Sequence, residues 1–248
     1  MKYILLLLLT TTYLSALVSI VPVEIGVKPG YSGNLEASLE TKRGNTHKDN
    51  YKLGTRLNYD NNKNFVTWAE ISGEYGESNE IKDTSKMYLH VRHIHALSQE
   101  DIRAEVFAQA EEDEFKLIKR RLLAGGGVRT KIFDGNLGNG KGYIGTGAYF
   151  EQVRYTSTDP EEDSARANLY FAYTSDFGAD SKVSYSAYYQ PNIEAFSDYI
   201  TAQKLELKLH LYKKLFLKFQ IAYDSDSKAP VGVEKYDFTQ TTAFVLNF

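Results

Sequence analysis

The segment that decides the fold is the end of the chain, Tyr236-Asp237-Phe238-Thr239-Gln240-Thr241-Thr242-Ala243-Phe244-Val245-Leu246-Asn247-Phe248. Successive side chains of a β-strand point to opposite faces. One face of this strand would carry Tyr236, Phe238, Phe244, Leu246 and Phe248, and the other Asp237, Thr239, Thr241 and Asn247. An apolar face, a polar face and a terminal aromatic residue are typical of the closing strand of an outer-membrane barrel. We therefore predict that Phe244 and Phe248 lie in an interfacial girdle of aromatic side chains.

The beginning of the chain predicts export. Lys2 precedes the apolar run Ile4–Leu9, and a stretch of small residues follows up to Ser19. This order is typical of a secretory signal peptide, which we place at residues 1–19, followed by a lead segment at 20–30 and a barrel at 31–248. An uncleaved anchor over Ile4–Val21 is the alternative, because that segment is nearly long enough to span a bilayer as a helix. Export and a barrel together predict the outer membrane of a Gram-negative bacterium.

Composition narrows the class of protein. A net charge of -3 argues against nucleic-acid binding, and the absence of cysteine excludes disulfides, thiolate metal sites and cysteine nucleophiles. The chain is rich in aromatic residues, with 19 Tyr and 13 Phe, which favour strands and membrane interfaces. Its mean hydropathy of -0.40 is compatible with a barrel, whose strands turn only half of their side chains towards lipid.

Alternating segments continue along the chain, and we count about twelve of the length that a tilted membrane strand needs. The clearest places Leu205, Leu207, Leu209 and Leu211 opposite Lys204, Glu206, Lys208 and His210. We predict an all-β, antiparallel, up-and-down transmembrane barrel of twelve strands. The fifth segment, Asp101–Glu111, also has the composition of a helix, so ten strands is one alternative. Fourteen is the other, if Pro22–Pro29 joins the sheet.

An even strand number places both termini at the periplasmic end, and long loops should then alternate with short turns. Longer polar connections follow the odd strands, and tight turns follow the even ones, except for Asp134–Gly140. The long loops are predicted at Gly44–Asp49, Gly76–Thr84, Glu112–Lys119, Thr156–Asp163, Pro191–Asp198 and Ser225–Lys235. All five prolines are predicted outside the strands, because proline cannot donate a ladder hydrogen bond.

Charged residues of both signs alternate onto the predicted lumen face. They are Glu36, Glu40, Arg56, Glu70, Glu74, Arg92, Arg103, Glu105, Glu111, Arg121, Arg129, Arg166, Lys204, Glu206, Lys208 and Lys218. Two functions are compatible with such a set. The side chains could pair across the interior and fill it, or they could line a narrow aqueous path. Because the set is slightly basic, a conducting path is predicted to have a weak preference for anions.

Other polar clusters have structural interpretations that we favour over chemical ones. His93 and His95 share one strand face while His90 points to the other, so we predict no metal site. The acidic runs Glu111–Glu114 and Asp159–Asp163 (without Pro160) are expected to be solvated loops, with divalent cations or lipopolysaccharide as the alternative ligands. Gly125 with Gly127, and Gly145 with Gly147, are interpreted as bends in the wall, or alternatively as lumen space.

A lipid-active enzyme is a third possible function. The chain has no Gly-x-Ser-x-Gly motif and no characteristic histidine–serine pairing, so we assign no catalytic residues and no cofactor.

Two stretches of the sequence resemble a known family. They are Tyr31–Glu40, followed by Gly44-Asn45-Thr46, and Leu122–Arg129. Both resemble the YdiY-type salt-induced outer membrane proteins, which form domain of unknown function family 481, and the resemblance extends from Gly30 to Phe248. It implies an outer-membrane barrel with a role in salt or envelope stress, and no catalytic residues. The expected partners are outer-membrane lipids, lipopolysaccharide and the barrel-assembly machinery. We expect no nucleic acid and a monomeric state.

Overall fold

The computed structural model describes residues 24–42, 48–97, 101–135, 140–156, 161–178 and 180–248, and these residues form a closed antiparallel barrel. The predicted signal peptide lies outside the described residues. The twelve strands are β1 (Gly30–Lys42), β2 (Lys48–Asp60), β3 (Phe65–Ser78), β4 (Ile81–Ala96), β5 (Ile102–Asp113), β6 (Ile118–Asp134), β7 (Gly140–Tyr155), β8 (Glu162–Phe177), β9 (Ser181–Pro191), β10 (Tyr199–Tyr212), β11 (Leu215–Asp226) and β12 (Tyr236–Asn247). Each strand pairs with its neighbours in the sequence, and β12 pairs with β1. The predicted twelve-stranded fold is confirmed.

The last residue of the chain closes the barrel. Leu35 is paired with Leu246, and Gly33 and Phe248 exchange backbone hydrogen bonds of 3.0 and 2.9 Å. The ring of Phe248 lies directly over Gly33, where a Cβ atom would be 2.7 Å from it. Glycine at position 33 is therefore a requirement of the seam. Because β1 begins and β12 ends here, we call this end of the barrel the termini end and the opposite one the distal end.

The strands alternate between an outer and an inner face, as predicted. On β10, Leu205 and Leu211 are 44% and 48% exposed on the outer face, whereas Ala202 is buried inside. The fifth segment is a strand throughout, which rules out the helical alternative. In the described ranges, none of the helices is both long and apolar enough to cross a membrane.

Aromatic side chains form bands on the outer face near both ends. At the termini end, the ring of Tyr59 lies 4.9 Å from that of Tyr31 and 6.0 Å from that of Phe65. At the distal end, Tyr223 stacks on Tyr236 at 6.2 Å. Phe244 and Phe248 are also exposed on the outer face. Leucine, isoleucine and valine dominate between the bands, which is the distribution that a barrel in a bilayer requires.

Two predicted long loops are wrong. Most of Gly76–Thr84 belongs to β3 and β4, which are joined by Asn79 and Glu80, both with positive φ, because a two-residue turn of this kind matches the strand twist. Most of Glu112–Lys119 is likewise occupied by β5, β6 and the short 3-10 helix Glu114–Lys116.

One proline was also misplaced by the sequence pattern. Pro191 is the last residue of β9 and is paired with Tyr199 across the sheet, rather than lying in a loop. The end of a strand tolerates proline, because little of the ladder depends on its missing N–H group.

Candidate functional site: the two halves of the barrel lumen

The lumen has two different halves, and the predicted lumen residues divide between them. In the packed half, the inner faces of β4 to β9 fill the interior with buried side chains. In the open half, the inner faces of β10 to β12 and β1 to β3 border a cavity. The packed half includes Arg92, Glu105, Glu111, Arg121, Arg129 and Arg166. The open half includes Glu36, Arg56, Glu70, Glu74, Lys204, Glu206, Lys208 and Lys218. Arg103 lies at the start of β5 and donates to the carbonyl of Ile102. The side chain of Glu40 is outside the described set.

Aromatic residues form the centre of the packed half. A continuous buried cluster, which extends onto the neighbouring β3 and β10, contains Trp68, Phe107, Leu123, Tyr149, Tyr170, Ala172, Tyr188, Ile200 and Ala202. The rings of Tyr170 and Tyr188 stack at 5.1 Å. Tyr170 packs where Gly145 has no side chain, since a Cβ atom there would be 2.0 Å from the ring. Gly145 thus provides space for a neighbouring ring. At Gly125, Gly127 and Gly147 a Cβ atom would lie within 2.4 Å of backbone atoms of the adjacent strand, as a strongly curved wall requires.

Glu105 holds a group of charged side chains together above this cluster. Its carboxylate accepts a hydrogen bond of 3.0 Å from Arg92 and one of 2.9 Å from the hydroxyl of Tyr170. The guanidinium of Arg129 lies 3.3 Å from the same carboxylate. The guanidinium of Arg92 also lies over the ring of Phe107, at 4.7 Å. Such a buried group is tolerated because its charges have partners.

A second group surrounds Glu151, nearer the distal end. Arg121 donates to Glu151 at 2.6 and 2.9 Å, and Arg166 donates to its other oxygen. Arg166 also pairs with Asp198 at 3.0 Å. Glu151 was missed from the sequence because the facing of the seventh segment was ambiguous. The outward Ile144 and Phe150 would have indicated it, since they leave the odd positions facing inward.

The acids at the end of β5 do not form a solvated loop. Glu111 and Asp113 turn into the lumen, where Lys86 lies 3.3 and 3.6 Å from them. Both carboxylates are buried because β5 continues further than the sequence pattern predicted. This part of the prediction is therefore wrong, whereas Glu112 and Glu114 are exposed.

The histidines occupy different surroundings. His90 is buried in the packed half, stacked on Trp68 at 4.7 Å and hydrogen-bonded to Gln109 at 3.3 Å. His93 bonds to Thr67 and His95 to Asn64. Among the described residues, no cluster of three or more metal-ligating side chains occurs.

The open half contains a cavity of about 790 Å³, which we call the wide cavity. It extends from Lys213 and Lys214 at the termini end to Asp224 near the distal end. Lysines and glutamates alternate along its wall, which includes Glu36, Lys52, Glu70, Lys204, Glu206 and Lys208. Arg56 stacks over Trp68 at 3.9 Å where the two halves meet. The open half is therefore polar and accessible, whereas the side chains of the packed half are buried.

The lead segment contacts the opposite wall at the termini end. The backbone of Gly26 donates to Asp60 at 2.6 Å, and the carboxylate of Glu24 accepts hydrogen bonds from Lys141 and Tyr143. These last two residues lie on β7, on the far side of the barrel from β1. Burial raises the pKa of Glu24. The hydrogen bonds from Lys141 and Tyr143 and the charge of Lys141 lower it by more than burial raises it, so that the net pKa falls below 4.5. Residues 24–29 thus narrow this mouth.

A second cavity of about 290 Å³ opens at the distal end, and we call it the distal cavity. Its wall is rich in acids, among them Glu151, Asp163, Asp198, Asp226 and Asp237. Asp224 lines both cavities, so it lies between them.

Comparison with solved structures finds matches at low sequence identity. The β domain of the Bordetella autotransporter BrkA is 6% identical, with a TM-score of 0.44 over 88% of this chain and 98% of that one. The translocator domain of the autotransporter NalP from Neisseria meningitidis is 6% identical, with a TM-score of 0.45 over 89% of this chain and 88% of that one. A bacterial polysaccharide outer membrane secretin is 9% identical, with a TM-score of 0.47 over 90% of this chain and 99% of that one.

Among curated proteins, none matches this sequence. A family model does match it, from residue 35 to residue 248, and so includes eleven of the twelve strands completely and most of β1. The chain therefore belongs to the DUF481 family, described as a protein family of unknown function.

Proposed function

We propose that the protein is a non-catalytic outer-membrane barrel that passes small polar solutes through the open half of its lumen, in adaptation to osmotic or salt stress. The observation that carries this proposal is the wide cavity, about 790 Å³ in volume and lined by charged side chains. A barrel that served only as a scaffold would have no need for a polar cavity, because buried charges are costly unless they are paired or solvated.

The division of the lumen explains why the passage would be narrow. Twelve strands enclose more space than side chains alone readily fill. Here, arginines, glutamates and aromatic residues occupy the half beneath β4 to β9. The remaining half contains the wide cavity, and the lead segment narrows it at one mouth. We therefore expect a small conductance rather than that of a general porin.

The proposed location follows from the outer surface. The apolar belt between two aromatic bands suits a bilayer, and a signal peptide at residues 1–19 would deliver the chain for insertion by the barrel-assembly machinery. With the termini end in the periplasm, the distal end would face the exterior, where lipopolysaccharide is the expected lipid partner. We propose a monomer, since the barrel closes on itself.

Reconstitution tests the proposal directly. The purified barrel is inserted into planar bilayers and into liposomes, and single-channel conductance and swelling in small neutral solutes are measured. We expect small unitary currents with a weak anion preference, because lysines line the cavity wall. The matched variants Lys52→Glu and Lys218→Glu should shift the reversal potential towards cations. A correctly folded barrel that gives neither currents nor swelling would refute the proposal.

A further inference from the structure

Asp224 is a buried carboxylate for which the structure provides no direct partner. It is 7% exposed, and within the described ranges its side chain has neither a hydrogen bond nor an ion pair. It lies on the inner face of β11 and lines both the wide cavity and the distal cavity. A buried carboxylate without a partner is costly, and such groups are typically found at functional sites.

The neighbours of Asp224 on the sheet increase this cost. On β12 it is paired with Asp237, another acid, and on β10 with Ala202. Like charges in direct cross-strand pairs are destabilising. Lys116 forms an ion pair with Asp237, but none of the described cations forms one with Asp224. A barrel selected for stability alone would have a neutral residue here.

A cation without a direct partner lies diagonally from it. Lys204 is paired with Ala222, two residues before Asp224 on β11, so both side chains lie on the inner face and line the wide cavity. Diagonal positions are roughly 7–8 Å apart, and in the described ranges no hydrogen bond or ion pair joins the two side chains. Lys204 likewise forms no hydrogen bond or ion pair with another described residue. The wall therefore presents a carboxylate and an ammonium group side by side, each available to a third molecule.

A solute with a single charge does not suit this arrangement. Lys86 and Lys204 line the wide cavity together with Asp224, and Lys116 lines the distal cavity with it, so these three cations would oppose a simple cation. Asp224 itself would oppose a simple anion. A molecule that carries both charges can satisfy both side chains, placing its ammonium group at Asp224 and its carboxylate at Lys204.

From this pair towards the termini end, the cavity wall continues the same pattern of opposite charges. Lys204, Glu206 and Lys208 follow one another on the inner face of β10, at a spacing of roughly 6.7 Å set by the rise of the strand. Opposite charges thus repeat along the path towards the termini end. A dipolar solute that leaves Asp224 and Lys204 would meet a similar pair of charges at the next step.

We propose that Asp224 and Lys204 form a binding site for a small zwitterionic solute that carries an ammonium and a carboxylate group, at the junction of the two cavities. This inference rests on the proposed passage, since it names the class of solute that the passage would carry.

Equilibrium binding to the full chain in detergent micelles tests the site without requiring transport. The probe is γ-aminobutyric acid, with n-butylammonium, butyrate and butanamide as analogues that carry one charge or none. We expect binding of the zwitterion to exceed that of each analogue at least tenfold, and Asp224→Asn and Lys204→Gln each to weaken it by a similar factor. Glu112→Gln and Lys119→Gln, at two exposed positions, are the matched controls and should bind as the parent does.

The outcomes separate the two proposals. Equal binding of all four probes, or unchanged binding in Asp224→Asn, would overturn the zwitterion site. Binding of n-butylammonium that equals that of the zwitterion and is insensitive to Lys204→Gln would also overturn it, by showing a simple cation site. Liposome swelling with butanamide separately judges the passage. Heat-modifiable migration confirms that each variant is folded, and Asp224→Asn should be at least as stable as the parent.

Discussion

Tyr170 donates a hydrogen bond of 2.9 Å to Glu105, although these residues lie on β8 and β5, which are not neighbouring strands. The bond therefore crosses the lumen rather than following the sheet. Arg92 on β4 and Arg129 on β6 contact the same carboxylate, so Glu105 on β5 connects three other strands within the packed half. This half of the interior is a solid core, and it confines any passage to the other half.

Replacing Tyr170 with phenylalanine tests the strength of this connection. The ring remains over Gly145, while the donor to the charged, buried Glu105 is lost. We expect the free energy of unfolding to fall by about 2 kcal/mol. Urea titration of the barrel in detergent measures this change. Tyr185→Phe is the control, because its hydroxyl bonds to Gln203 at 3.1 Å at an exposed position, and it should change the stability little. Equal losses in the two variants would contradict the role assigned to Glu105.

The barrel seam makes a second prediction. In Gly33→Ala, the new Cβ atom would be 2.6 Å from the carbonyl oxygen of Arg56 and 2.7 Å from the ring of Phe248. We expect a loss of about 1–3 kcal/mol from overpacking, with a larger fraction of unclosed barrel after refolding. Heat-modifiable electrophoresis measures that fraction. Gly54→Ala should refold normally, since the atom nearest to its new Cβ atom would be 3.3 Å away. Normal closure of both variants would show that the seam tolerates a side chain.

A third prediction concerns the outer face of β10. Leu207 lies in the middle of this strand, so Leu207→Arg would place a charge near the centre of the hydrocarbon. We expect a loss of roughly 2–4 kcal/mol in lipid vesicles, against about 0–1 kcal/mol for Gln203→Arg, which lies nearer the distal end. Reversible unfolding from vesicles measures both values. A cost that does not depend on depth would argue that this face is not in contact with lipid.

The lead segment makes a prediction about pH. The pKa of Glu24 is lowered in the folded protein, so its contacts contribute stability above the ordinary value of 4.5 and lose it as the pH falls through the folded pKa. A spin label at Val27→Cys should be immobilised near pH 7 and mobilised once the pH falls well below 4.5. Glu24→Gln should be mobile at every pH, whereas the distal Glu194→Gln should behave as the parent. Identical spectra in all three would show that Glu24 does not hold the segment.

Much of the candidate site could be assigned from alternation alone. The inward set on β10 and the outward leucines beside it follow from the period of two, because the pleat alternates whatever the surroundings. Alternation failed where its markers were missing, as on β7, whose small residues hid the inward Glu151. It also failed at strand ends, because hydrogen bonding in the closed sheet extended β5 as far as Asp113 beyond the predicted segment.

The sequence by itself determined the class of fold and the face of most residues, since these depend on local periodicity, whereas the closed sheet decided between ten, twelve and fourteen strands. Only the tertiary structure decided which charges meet. Glu105 pairs with Arg92, Arg129 and Tyr170, and Asp224 has no direct partner among the described residues, because closure of the barrel decides which distant strands meet across the lumen. The contents of a lumen depend on shape and on distances across it, and a pattern along one strand contains neither.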